Sequence, residues 1–215
     1  MIPDLPANPL SIELTLGHRR LWWHVEEQDE DPEPWDISAD VWEPNPCPDG
    51  LRHVGDISVV ITDVPRRRSL LDTVALGERI HDFLAEAVVG EHRRLHPELD
   101  ARLCPGPERF VIVCRVEIAE EWQGHGLAGS LLACTLRMLS KTARLAVAGP
   151  TKADFADEDL DEMSAEFAGA RVTGLLERIG FWRWRGVHVV DLRSDRLLAA
   201  RQDLLDLWWP DDDIG

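Results

Sequence analysis

No tyrosine occurs anywhere in the 215 residues, so any proton a reaction needs must come from another side chain or from water. Cysteine is scarce: Cys47, Cys104, Cys114 and Cys134 form no C-x-x-C pair, and two of them lie in apolar segments, where a reduced thiol behaves as a small hydrophobe. A disulfide scaffold is thereby excluded, and a reducing setting is expected. Nowhere do about 18 uncharged apolar residues follow one another, and no basic stretch precedes an N-terminal apolar run. Neither a membrane span nor a signal peptide is expected, and the predicted location is cytoplasmic. Positive charge is also short, with 23 basic against 40 acidic residues and a formal net charge of −17. That balance argues against a surface that neutralises nucleic-acid phosphates; it favours cationic partners or plain solubility.

What is present describes a folded protein. Hydrophobic residues make up 44% and charged residues 29%, ordinary for a globular domain that buries a real core. We divide a single domain, 1–215, into an N-terminal half (1–107), a central core (108–192) and a C-terminal helix with an acidic tail (193–215). Ser11 to Leu16 alternates, and Leu21, Trp22, Trp23 and Val25 follow, which predicts a hairpin about Gly17-His18. Glu26 to Gly50, rich in acid and proline, reads as a loop. Asp56 to Val64 predicts a strand, and Ser69 to Gly90 a helix of about five turns.

From Phe110 the predicted order is strand (to Ile118), buried helix (Leu127 to Lys141), strand (Leu145 to Ala148), helix (Glu158 to Ile179, closed by Gly180), then two strands about Gly186. Ser194 to Trp209 makes a last helix. Such alternation predicts an α/β sheet with its ligand where strands end and helices begin.

Between the first of these strands and its helix stands Gln123-Gly124-His125-Gly126-Leu127-Ala128. A chain that turns through two glycines into a helix aims unpaired backbone N–H groups outward, and small residues let an anion reach them. About 50 residues on, Leu175-Leu176-Glu177-Arg178-Ile179-Gly180-Phe181 closes the second helix.

These two elements, in this order, resemble the GNAT superfamily of acyl-CoA-dependent N-acetyltransferases, whose signature [QR]-x-x-G-x-[GA] is filled by Gln123, Gly126 and Ala128. The resemblance covers about Phe110 to Leu192. It implies a mixed central sheet flanked by helices, here with a divergent Trp/Pro-rich N-terminal region, and acetyl-CoA as acyl donor. It implies further that Gln123, Gly124, His125, Gly126, Leu127 and Ala128 hold the pyrophosphate, and that the backbone of Val116 and Ile118 aligns the pantetheine arm. The activity implied is acetyl transfer to a primary amine on a small molecule, a polyamine or a protein. A non-catalytic acyl-CoA-binding or interaction module is the alternative. Where family members often place a tyrosine acid, this chain has Leu176.

Alternation along the strand sets Ile112, Cys114, Val116 and Ile118 on one face and Val111, Val113, Arg115 and Glu117 on the other. Glu117 is the candidate base that takes a proton from the acceptor ammonium, its other reading being a salt bridge with Arg115. Glu120 and Glu121 are secondary candidates. The tryptophans, Trp35, Trp42, Trp182, Trp184 and Trp208 among them, read either as core or as walls for a cationic amine. His92 and His96 lack further ligands nearby, so no metal is assigned. A homodimer through the last helix is possible on this reading.

Overall fold

The computed structural model of the protein describes residues 5–18, 32–64, 87–90, 94–149 and 171–208. Seven strands form one sheet: β1 (Ile12–His18), β2 (Glu33–Val41), β3 (His53–Asp63), β4 (Arg109–Ile118), β5 (Leu145–Ala148), β6 (Trp182–Trp184) and β7 (Val187–Asp191). Their order is β1-β2-β3-β4-β5-β7-β6. Every neighbouring pair is antiparallel except β4 and β5. The helices are α1 (Pro97–Asp100), α2 (Leu127–Met138) and α3 (Asp195–Trp208), and residues 171–178 are helical too. This is the mixed, helix-flanked α/β sheet expected.

Parallel neighbours need a crossover, and α2 provides it between β4 and β5. Its Leu127, Leu131, Leu132 and Leu136 are buried against Ile37, Ile57, Val111 and Val113 of the sheet, while α3 packs alongside through Leu197 and Ala200. The opposite sheet face carries a second apolar layer of Val60, Val88, Leu99, Phe110, Ile112 and Leu145. Strands covered on both faces read as unbroken apolar runs, which is why L-A-V-A of β5 was visible in the sequence with its bounds intact.

The N-terminal half departs from expectation. Gly17 and His18 do not turn the chain; they lie inside β1, paired with Asp36 and Trp35. Part of the acid- and proline-rich stretch read as a loop is strand β2, in which even Pro34 has a register partner, Val60. Its Ile37, Ala39 and Val41 alternate inward with Asp36, Ser38 and Asp40 outward, a period-2 pattern hidden by the flanking composition. The expected helix Ser69 to Gly90 and the acidic run after Glu26 lie largely outside the described residues, as do Trp22, Trp23, Trp209 and His92.

Two local features fix the far edge. The β6–β7 hairpin turns through Arg185 (φ 44°) and Gly186 (φ 87°), both left-handed, as a tight two-residue connection favours. Asp191, 5% exposed, closes the end of β7 by accepting the backbone N–H groups of Cys104 at 2.7 Å and Arg193 at 2.8 Å. None of the four cysteines forms a disulfide.

His188 sits in the all-buried β7, and among the described residues neither ring nitrogen has a hydrogen-bond partner. Burial, with the nearby Arg183 charge second, lowers its pKa from 6.5, while Glu177 opposes. The unfolded chain therefore takes up a proton near pH 6.5 that the folded chain resists, so stability from this residue is whole above that pH and falls as the pH drops below it. His188→Leu removes two orphaned polar atoms and is expected to stabilise by about 1–2 kcal/mol at neutral pH, with a larger gain at pH 5. Urea denaturation at both pH values measures this, and a loss of stability at pH 5 would refute it.

Candidate functional site

β4 has ten residues and β5 four, so β5 covers only part of its neighbour's edge. Pairing runs from Phe110 with Leu145 to Val113 with Ala148; beyond that, β4 continues to Ile118 with no described strand on that side. On the other side β3 accompanies β4 throughout. Ala119 donates its N–H to the Val54 carbonyl at 2.9 Å, and the antiparallel alternation from that bond directs the backbone of Arg115 and Glu117 toward β3. The backbone groups of Val116 and Ile118 consequently face the edge that carries no strand among the described residues. One of them is occupied: the Ile118 carbonyl accepts a hydrogen bond from Gln123 Nε2 at 2.9 Å.

The side-chain faces of β4 need correction. Register shifts between Ser58 and Val59 so that Ser58 pairs with Arg115 and Val59 with Val113, leaving Cys114 as the extra residue of a bulge. Past it the alternation is inverted. Val116 and Ile118 join Val111 and Val113 on the α2 face, and Ile112 and Cys114 belong to the opposite layer. A strict period of two cannot foresee an inserted residue, and this is why the sequence-based faces fail after Val113.

Glu117 and Arg115 project from the face away from α2. They are ion-paired with each other through Arg115 NH2 and Glu117 Oε1, and both side chains are about half exposed, 57% and 51%. Asp56 stands opposite Glu117 on β3. His53 spans the same face, its Nδ1 3.0 Å from Asp40 and its Nε2 3.1 Å from Asp56. The Asp40 hydrogen bond raises the His53 pKa; burial, the next effect in size, opposes it, and the Asp56 and Asp40 charges add to the rise. Glu13 and Asp36 share this outward face, which is therefore strongly acidic around Glu117.

Between β4 and α2 the chain is pinned by Trp122, 1% exposed, whose indole N–H bonds the Leu51 carbonyl at 3.0 Å. Gly124 (φ 83°) and Gly126 (φ 75°) then turn the backbone through the left-handed region, and Gly126 caps α2. Among the described residues no side chain caps the helix's first N–H groups, and no acidic residue stands in its first turn. A Cβ on Gly124 would meet nothing within 4 Å, and one on Gly126 would meet only Arg178 NH2 at 4.0 Å. Among the described residues the helix start is thus uncovered, and it carries a positive field.

Of the other motif residues, Gln123 is exposed and His125 half-buried; Leu127 is buried, so it can contribute only its backbone N–H, and Ala128 is half-buried beside it. Arg178 is the residue that the sequence reading missed. It lies in the second element, and its guanidinium overhangs α2, 3.7 Å from the place of a Gly129 Cβ. A lone arginine in the largely apolar L-L-E-R-I-G-F stretch was the available signal. Leu176 is 2% exposed within the core. The tryptophans do not converge: Trp35 packs on the α2 side and Trp182 and Trp184 on the other, while Trp42 is exposed. Among the described residues no group of three or more His, Cys, Asp or Glu could hold a metal, and no helix is long and apolar enough to cross a membrane.

Comparison with known proteins adds little. No protein-family model and no curated protein matches the chain. Among solved structures, a crystal structure of a tyrosine-to-phenylalanine mutant of KacT is similar at 11% identity, covering 90% of this chain and 98% of its own, with a TM-score of 0.34.

Proposed function

We propose that the protein binds an acyl-coenzyme A, acetyl-CoA in the first instance, and transfers the acyl group to a primary amine. The observation that carries this reading is a backbone edge at Val116 and Ile118 with no strand beside it among the described residues, leading directly into a helix start built on glycines. An extended amide-bearing arm fits the first and a diphosphate the second. Gln123 braces the turn through the Ile118 carbonyl, the N–H groups from Gly126 to Ala128 would face the diphosphate, and Arg178 would add a guanidinium above them.

When bound, the donor supplies a thioester carbonyl as electrophile. The protein's part is to orient it and to free the acceptor's lone pair. The Val116 N–H would align the acyl arm. Glu117 is the base: an ammonium arriving at the acidic face exchanges the Arg115 contact for its own and gives up a proton. The surrounding Asp36, Asp40 and Asp56 favour a cationic acceptor such as a polyamine or a basic protein segment. With Leu176 buried and no tyrosine present, the departing thiolate takes its proton from solvent.

The expected outcome of Glu117→Gln is a loss of about 100-fold in turnover against an amine panel at neutral pH, with coenzyme A affinity changed less than about twofold. Unaltered turnover would remove Glu117 as base. The Arg115 ion pair and the apolar Leu176 favour a second reading, a module that binds acyl-CoA without turnover. Saturable binding with no product from any amine would select it.

A further inference from the structure

A cavity of ≈ 690 Å³ opens on the sheet face opposite α2, lined among others by Arg94, His96, Asp100, Glu108, Arg144 and Arg185. Its volume is that of a small-molecule site. Among the described residues its charge runs against the chain: three guanidiniums face two carboxylates in a protein of net charge −17.

Arg144 is consumed by structure. It pairs with Asp100 and donates to the carbonyls of Asp100, Leu103 and Cys104, which clamps the α1 loop to the start of β5. Glu108 is partnered as well. Arg94 and Arg185 remain without an acidic partner among the described residues. Arg185 lies over the Trp184 ring, 5.5 Å from its centroid, and donates from NH1 to His96 Nε2 at 3.1 Å. That bond places the His96 proton on Nδ1 and holds the guanidinium still.

The backbone at Arg185 makes the choice of residue telling. With φ 44° followed by Gly186, the turn favours asparagine, aspartate or glycine, and a longer side chain there costs about 1 kcal/mol. An arginine at such a position, set against Trp184 and His96 and with no counter-ion among the described residues, has a guanidinium available for a planar oxyanion.

We infer that this cavity is a binding site for a small organic anion, with Arg94 and Arg185 gripping its carboxylate or phosphate and Val64, Leu95 and Pro97 receiving its apolar body. The site is separate from the glycine junction, which lies on the α2 side of the sheet.

Calorimetric titration of the full chain with phenyl phosphate and with benzoate tests it, and the two arms tell which oxyanion is preferred. At least one probe is expected to bind with submillimolar affinity, undiminished at saturating coenzyme A. Arg185→Asn suits the turn, so it keeps the fold and lowers probe affinity about tenfold or more; Arg94→Gln does likewise. Circular dichroism melting checks that both variants are folded. Binding of neither probe, binding unchanged in both variants, or competition by coenzyme A would overturn the inference. Because the probes are titrated first without coenzyme A, a failure of coenzyme A to bind does not touch this result.

Discussion

Gly126→Val is expected to weaken coenzyme A binding at least about 100-fold, through loss of two or more charge-assisted backbone contacts worth about 1.5–3 kcal/mol each. At φ 75° a β-branched residue also strains the backbone, at about 1–2 kcal/mol. The two effects can be told apart. Gly186 has φ 87° as well, yet it turns the β6–β7 hairpin at the far edge of the sheet. Gly186→Val should therefore lose similar stability and keep full affinity. Calorimetry on the pair, with thermal melts alongside, isolates the part of the loss that arises from filling the space above the helix start. Equal affinity in the two variants would mean that no ligand enters that space.

Gly55→Ala should produce the largest loss of stability, about 3 kcal/mol or more and a melting temperature lower by about 6–12 °C. A Cβ there would stand 2.1 Å from the Glu117 carbonyl oxygen and 3.0 Å from Ile118 Cα. Both contacts are backbone, so no side chain can swing aside; β3 and β4 must separate in the middle of the sheet, where Ala119 bonds Val54. The same displacement moves Glu117 and the open edge, so activity should fall beyond what the unfolded fraction explains. Denaturant midpoints for wild type and variant measure the first effect. A difference under about 1 kcal/mol would contradict the close approach of the two strands.

From Phe110 on, most of the architecture was legible because local chemistry and tertiary environment agree there. The apolar run of β4, the buried stripe of α2, Gly180 at φ 103° closing its helix, and Gly186 in the last hairpin each carry a residue type that only one backbone geometry suits. The N-terminal strands were harder. In β2, prolines and acids border an inward set of only Ile37, Ala39 and Val41, so composition spoke for a loop while the pairing with β1 and β3 decided for a strand. At the site, the glycines were visible because they answer a local constraint. The bulge at Cys114 and the reach of Arg178 over α2 were not, since both depend on how distant segments meet.

The unequal lengths of β4 and β5 also decide how an arm would be held there. Lying along the part of β4 that β5 does not accompany, an extended amide-bearing chain would join the sheet as a further strand, about 4.8 Å from β4. It would be gripped by main chain alone, which point mutation of side chains barely alters.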